Sequence, residues 1–451
     1  MIDEAFIEQL AGARSTAAFN RTAVGFAVMQ LYDSVKITGY DPARHSANLD
    51  RIRSDLAAIT SEKAIHAALD SFIQVVPFWE GEGAIRVGRR AVYTALLIYG
   101  KALGDEGDWR LSQKVCTLVG IDTELDGETW MSAEARLMMG RAGRMCADWP
   151  DSHAAYARAY QLGIDAGDLS LALRARVGEA NNLWSRGDFP AAKQILNRTA
   201  RRARQSAPEV LPRVTLAIAG VANASGEYER AIHLAYGLLD SLSDNDELKY
   251  KTLIDLAAFL TDYGLPDVAA AALQVVERTA PETQVRVHAR LNLFFLAARH
   301  DEAPRFNALR AALSKDPLTP RQQTQYALFS AQGFRRFGKL TAARESVNEA
   351  IKLSNQHELF QLMFEAESEL QGIEAACTNQ DATAEPRTAH ARKARSRAAG
   401  GSDDATDVIE AIFDRSARRE KIPMRIRRVA ESLRLMASAG AAADGADRFT
   451  Q

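Results

Sequence analysis

The strongest constraint on the fold is a phrase that recurs: Gly, an acidic residue, an aromatic residue, two further residues and then Ala. It reads SRGDFPAAKQIL from Ser185 and ASGEYERAIHLA from Ala224, with the two glycines thirty-nine residues apart. Looser matches extend the series to seven units of 37 to 41 residues, anchored at Gly107, Asp148, Gly187, Gly226, Gly264, Asp301 and Gly338. Self-similarity at such a period indicates a repeat array.

Each unit is predicted to form two helices joined by a tight turn, because apolar residues recur at helical spacing on both sides of the anchor. The residue ten before each anchor is apolar: Leu97, Met138, Val177, Leu216, Ile254, Leu291 and Leu328. The positions seven before and five after are mostly small; the bulky exceptions are Arg141, His153, Phe294 and Phe306. A single hairpin cannot bury such a face, so successive hairpins must stack.

The phrase, with its small residue seven positions before the Gly, resembles the tetratricopeptide repeat (TPR) over residues 83–374. The units are longer than the family's usual length of about 34 residues, and its early aromatic residue and its later Pro are mostly missing. The resemblance implies an all-α superhelix of helical hairpins whose first helices line a concave, peptide-binding surface. An unrelated array of helical hairpins is the alternative.

Changes in composition divide the chain into five segments. The expected segments are an N-terminal helical cap or decayed repeats (1–80), a solenoid of about seven hairpins (81–375), a flexible low-complexity linker (376–404), a basic amphipathic helical segment (405–436) and a disordered tail (437–451).

Bulk composition excludes several classes of function. Lys and Arg (56) nearly balance Asp and Glu (58), so no global field attracts nucleic acid or a membrane. We expect no signal peptide, no membrane span and a cytoplasmic location, with Cys116, Cys146 and Cys377 as reduced thiols. Enzyme motifs do not occur, so we expect no catalytic residue, no cofactor and no metal site.

The predicted partner site is a ladder of side chains on the first helices. The position thirteen before the anchor carries Arg174, Arg213, Lys251 and His288 in four successive units. Lys101, Asn181 and Gln332, six before their anchors, share nearly the same face, and Asn223 and Arg335 lie at its edge. Such a ladder could bind carboxylates of an acidic or C-terminal peptide. An ordinary solvated helix surface is the alternative interpretation, and Asp255 could pair with Lys251 within one helix.

Residues 386–436 contain thirteen Lys or Arg and seven Asp or Glu, a net charge of +6. This segment could dock as an amphipathic helix on the solenoid or on a second protomer, bind nucleic acid through clusters such as residues 392–397, or touch anionic lipid. Interleaved acids, and the absence of aromatic residues interspersed among the basic residues as a stacking platform would need, favour protein contact.

The sequence therefore favours a non-catalytic protein-binding scaffold, adaptor or regulatory module, with a protein or peptide partner that could carry an acidic segment. A nucleic-acid-associated or transcription-regulatory protein is the alternative, and an enzyme with a site between repeats is the third hypothesis. Nucleic acid and membrane are not expected as partners, and the oligomeric state is not predicted.

Overall fold

The computed structural model describes residues 2–13, 16–57, 63–79, 85–243, 248–300 and 302–384, together with residues 426, 429–431 and 433. Across these residues the fold is all-α and contains no strand. The chain divides into two compact units, namely unit 1 (1–214 and 282–284) and unit 2 (215–281 and 285–451).

The helices of unit 1 are numbered in chain order. They are α1 (Ile2–Ala11), α2 (Thr16–Thr38), α3 (Pro42–Ala57), α4 (Lys63–Val75), α5 (Ile85–Glu106), α6 (Trp109–Leu125), α7 (Thr129–Met145), α8 (Trp149–Asp165), α9 (Leu169–Arg186) and α10 (Phe189–Ser206), with short 3-10 turns at Val76–Phe78 and Pro208–Val210.

The helix α11 (Leu211–Ala224) begins at the end of unit 1 and runs into unit 2. The further helices are α12 (Tyr228–Ser241), α13 (Leu248–Tyr263), α14 (Pro266–Thr279), α15 (Thr283–Arg299), α16 (Ala303–Leu313), α17 (Pro320–Arg336), α18 (Leu340–Gln356) and α19 (Phe360–Ala384). None of the described helices is long and apolar enough to cross a membrane.

The recurrent Gly–acidic phrase ends one helix and begins the next. Gly187 takes the left-handed conformation at φ 95°, which glycine adopts without a steric penalty. The backbone N–H of Asp188 donates to the carbonyl of Leu183 (2.9 Å), which closes the first helix in a Schellman arrangement. The Asp188 carboxylate then accepts from the backbone N–H of Ala191 (3.1 Å) and caps the second helix.

The same turn also joins one hairpin to the next in unit 1. Its left-handed residues follow at intervals of twenty: Gly107, Gly127, Ala147, Gly167 and Gly187. Gly127 and Gly167 connect successive hairpins, whereas the other three lie within hairpins. Because each helix with its turn occupies twenty residues here, two of them make the repeat of about forty.

The predicted anchor at Asp148 is wrong by one position. The left-handed residue of that turn is Ala147, at φ 59°. Counting from Ala147 places Gly140 seven before and Ser152 five after, so both positions carry small residues and the exceptions Arg141 and His153 disappear. The Ser152 hydroxyl donates to the carbonyl of Gly140 (2.6 Å), which ties the two helices of the hairpin together at close range.

The two Phe exceptions in unit 2 have a different physical reason. Phe294 of α15 and Phe306 of α16 stack on each other with ring centroids 4.7 Å apart. The bulk of Phe306 is accommodated by Gly333 of α17, where an added Cβ would lie 2.3 Å from the Phe306 ring. The predicted anchor Asp301 lies outside the described residues.

The N-terminal helices share one hydrophobic core with the first repeats. Phe6 of α1, Tyr32 of α2 and Leu69 of α4 are fully buried in the same cluster as Val115 of α6. The Tyr32 hydroxyl also donates to the buried carboxylate of Asp122 on α6 (2.5 Å). The described helices α1 to α4 thus pack on the first hairpin, whereas the origin of residues 1–80 as decayed repeats stays a prediction.

The C-terminal boundaries are only partly visible. α19 runs through Ala384, so the predicted boundary at residue 375 falls within a helix. The predicted tail (437–451) and most of the predicted linker (376–404) lie outside the described residues. Five residues of the predicted basic segment (405–436) are described, and all five are helical.

Candidate peptide-binding site

The predicted ladder position brings neighbouring repeats into contact in unit 1. Arg174 of α9 forms two hydrogen bonds with the carboxylate of Glu134 on α7, at 2.9 and 3.0 Å. Counted from the corrected anchor Ala147, Glu134 occupies the equivalent position of the preceding repeat. Side chains forty residues apart are therefore neighbours, as the repeat pattern requires, and the Arg174 cation is paired with an acid of the fold itself.

The remaining predicted residues of unit 1 do not form one cluster with Arg174. Lys101 makes an ion pair with Asp105 (2.8 Å) one turn further along α5. Asn181 of α9 is half-buried, and Arg213 of α11 is exposed. The ladder interpretation stays a prediction for these three side chains.

Two predicted residues of unit 2, Asn223 and Arg335, lie beside acidic side chains. Asn223 of α11 donates to the carboxylate of Asp262 on α13 (2.7 Å), and Arg335 of α17 makes an ion pair with Glu369 of α19 (2.6 Å). The side-chain oxygens of Asn223 and Gln332 are buried and have no hydrogen-bond partner among the described residues. A buried acceptor without a partner is costly.

Lys251 and His288 lie on α13 and α15 at the predicted ladder position. The His288 side chain is exposed to solvent, yet the protein packed around it lowers its pKa to about 4, with a smaller contribution from the Arg321 cation. Asp255, one turn after Lys251, is half-buried. Desolvation raises the pKa of Asp255 to about 7, and the Lys251 cation opposes that shift.

A second column of charges runs two positions before the anchors. Asp262, Arg299 and Arg336 follow at intervals of thirty-seven residues on α13, α15 and α17. Asp262 is exposed, but desolvation raises its pKa, while the hydrogen bond from Asn223 and the Arg299 cation lower it. Desolvation likewise lowers the pKa of Arg299.

An aromatic pair lies next to this column. The rings of Phe295 on α15 and Phe329 on α17 have centroids 4.6 Å apart. The Arg299 guanidinium lies 5.3 Å from the centroid of the Phe295 ring, within the range of a cation–π contact. Phe329 is only 9% exposed, so the pair provides an apolar floor beside the charged groups.

Glu365 of α19 senses charges near both columns, because Asp262 and the Arg321 cation, which also acts on His288, both affect its pKa. Glu365 is exposed, and its pKa is raised, mainly by desolvation and to a smaller extent by the Asp262 carboxylate. The hydrogen bond from Gln361 and the Arg321 cation oppose this shift. We call this set the inner face of unit 2. It consists of Lys251, Asp255, Asp262, His288, Phe295, Arg299, Phe329, Gln332 and Glu365.

The inner face combines solvent access with desolvation. Solvent reaches the charged side chains of this face, and desolvation by the surrounding protein shifts the pKa values of five of them: Asp255, Asp262, His288, Arg299 and Glu365. Of the predicted site residues, Lys251, His288 and Gln332 belong to it. The sequence reasoning did not include the column of Asp262, Arg299 and Arg336, although its thirty-seven-residue spacing was visible.

No protein-family model matches the sequence, and neither does any curated protein. Among solved structures, the Rap conjugation gene regulator of plasmid pLS20 in complex with the Phr* peptide has a TM-score of 0.52 at 13% identity, over 76% of this chain and 97% of that one. The fold is TPR-like. A Rap protein complexed with competence and sporulation factor has a TM-score of 0.42 at 11% identity, over 80% of this chain and 99% of that one. At these identities the likeness concerns the TPR-like fold alone.

Proposed function

We propose that this TPR-like protein is a non-catalytic regulatory or adaptor module that binds a peptide segment of a partner protein on the inner face of unit 2. The observation that carries the proposal is the group of solvent-accessible but desolvated side chains on α13, α15 and α19. Charged groups in such surroundings gain more from a ligand's opposite charge than groups on an open surface do. The solved Rap regulator with its bound peptide supports the proposal as a fold of the same kind.

The face fits a peptide that carries both charges. Asp255 and Asp262 would accept hydrogen bonds from a Lys, an Arg or a backbone N–H of the ligand, whereas Arg299 would bind a carboxylate. Phe295 and Phe329 would contact an apolar or aromatic side chain of the peptide. The partner is therefore a mixed-charge segment with an apolar anchor, and the acidic segment expected from the ladder is one part of it.

Selection from a displayed library of random peptides tests this function. Peptides enriched on the full chain should bind at least tenfold more weakly to the variants Asp262→Ala and Arg299→Ala. Glu349→Ala is the matched control, because Glu349 is an exposed carboxylate of α18 that pairs only with Lys352 of its own helix among the contacts seen. Enriched peptides that bind all three variants as tightly as the wild type would exclude the inner face as their site.

The nucleic-acid alternative stays a prediction. Its cluster at residues 392–397 lies outside the described residues, and no observation on unit 2 favours it. Salt-dependent binding of an oligonucleotide, lost when that cluster is replaced by Ser, would support it. The cytoplasmic location also stays a prediction.

A further inference from the structure

Four residues near the C-terminus belong to the hydrophobic core of unit 2. Ile426, Val429, Ala430 and Leu433 are 0%, 2%, 6% and 1% exposed. They pack in the cluster formed by residues of α11 to α15, such as Leu256. The basic segment therefore contacts the repeats of its own unit, which agrees with the docking alternative among the three that the sequence left open.

The buried residues form a single stripe along a helix. Their positions follow the i, i+3, i+4, i+7 pattern of one helical face, and Glu431, between them in sequence, is exposed. Ala430 in the centre of the stripe permits close approach of the backbone to the surface beneath it. This is how an amphipathic helix binds in an apolar groove.

The docked helix is joined to the repeats only through a long chain segment. Residues 385–425 separate it from the end of α19, and residues 385–407 contain no large apolar side chain. A segment of that length can span about 140 Å when extended, so its length does not determine where the helix binds. A short helix is also unstable alone in water, so its order depends on the surface that it covers.

We propose that α11 to α15 form an apolar helix-binding surface, and that the C-terminal stripe Ile426–Val429–Ala430–Leu433 occupies this surface reversibly in cis. The surface recognises a helix with a large–large–small–large apolar pattern at i, i+3, i+4 and i+7. The covalent connection through residues 385–425 keeps the stripe at a high local concentration beside the surface, which favours occupation in cis. The proposal is independent of peptide binding on the inner face of unit 2.

Cleavage of the folded chain tests reversibility without a destabilising substitution. A specific protease site is inserted between Gly400 and Gly401 of the full chain, a fluorophore is placed at the C-terminus, and the protein is cleaved after folding. We expect the labelled fragment to dissociate on dilution through the micromolar range, measured by fluorescence anisotropy, while circular dichroism of the remaining chain stays helical. Loss of helix or aggregation on dissociation would overturn the proposal, since the segment would then be an integral part of the core.

Peptides added to the cleaved and separated protein test the pattern. A peptide of residues 420–437 should rebind, and the peptide with Val429→Asp and Leu433→Asp should bind at least tenfold more weakly. Glu431→Gln is the matched control and should bind like the wild-type peptide. Equal binding of all three peptides would overturn the assignment of the stripe. A concentration-dependent dimer of the uncleaved chain that Leu433→Asp abolishes would instead assign the site to a second copy and overturn occupation in cis.

Discussion

Asp255→Asn should stabilise unit 2 at alkaline pH. Desolvation raises the pKa of Asp255 from 3.8 to about 7, so the folded state binds its proton more tightly than the unfolded state does. Stability is therefore lost as the pH rises from about 4 to about 7, and the full penalty is present above pH 7. One pKa unit corresponds to about 1.4 kcal/mol, so the shift limits the penalty to about 4 kcal/mol. Since Asp255 retains partial contact with solvent, we expect about 1–2 kcal/mol at pH 8.

The amide removes this penalty because it stays neutral at every pH. The free energy of unfolding is measured for wild type and variant by urea denaturation at pH 5 and pH 8, together with hydrogen exchange of α13. The advantage of the variant should be smaller at pH 5 than at pH 8. Glu349→Gln, at an exposed carboxylate of α18, should show no such dependence. An advantage that does not change with pH, or a less stable variant at pH 8, would refute the desolvation of Asp255.

Two further predictions concern the turns and the packing of the repeats, both measured by urea denaturation. Ala147→Gly should stabilise unit 1 by about 0.5–1 kcal/mol, because Ala147 is left-handed and this conformation costs more than the unfolded-state entropy that Ala saves. Gly167→Ala, whose Cβ would meet no atom within 4 Å, should destabilise unit 1 by a similar amount. A destabilising Ala147→Gly or a stabilising Gly167→Ala would contradict the equivalence of the two turns. Gly333→Ala should cost about 1–3 kcal/mol because its Cβ would lie 2.3 Å from the Phe306 ring. Gly237→Ala on α12 is the control and should be neutral or stabilising, since its Cβ would meet nothing.

The sequence predicted the all-α fold because the repeat encodes its own turns. Gly187 and Asp188 show the reason: one residue must take positive φ and the next must cap a helix, and few residue types do either. The register around Asp148 was predicted wrongly because Ala147 takes the left-handed conformation without being Gly. This turn contains no Gly, so the acidic Asp148 was taken as the anchor although the equivalent of the anchor Gly is Ala147.

The site was less predictable because desolvation is a property of the assembled repeats. The ladder at Lys251 and His288 was visible as a column of like residue types, but the sequence does not indicate that His288 is surrounded by protein while solvent still reaches it. The stripe from Ile426 to Leu433 was visible as amphipathic, whereas its docking on α11 to α15 depends on contacts across more than 130 residues of chain.

The two units use the same repeat position in different ways, and this difference identifies the better binding surface. In unit 1, Arg174 already has both of its hydrogen bonds to the Glu134 carboxylate. A ligand carboxylate that displaces Glu134 exchanges one ion pair for another and gains little net free energy. In unit 2, desolvation raises the pKa of Asp255 to about 7, so its charged form is held at a cost that a ligand cation would lower. The pKa of His288 is lowered to about 4, so this side chain is neutral near pH 7 and can offer a ligand hydrogen bonds without a charge. Free energy that the fold does not itself recover is available for binding, so we expect a partner peptide to gain more affinity from the inner face of unit 2 than from Arg174 in unit 1.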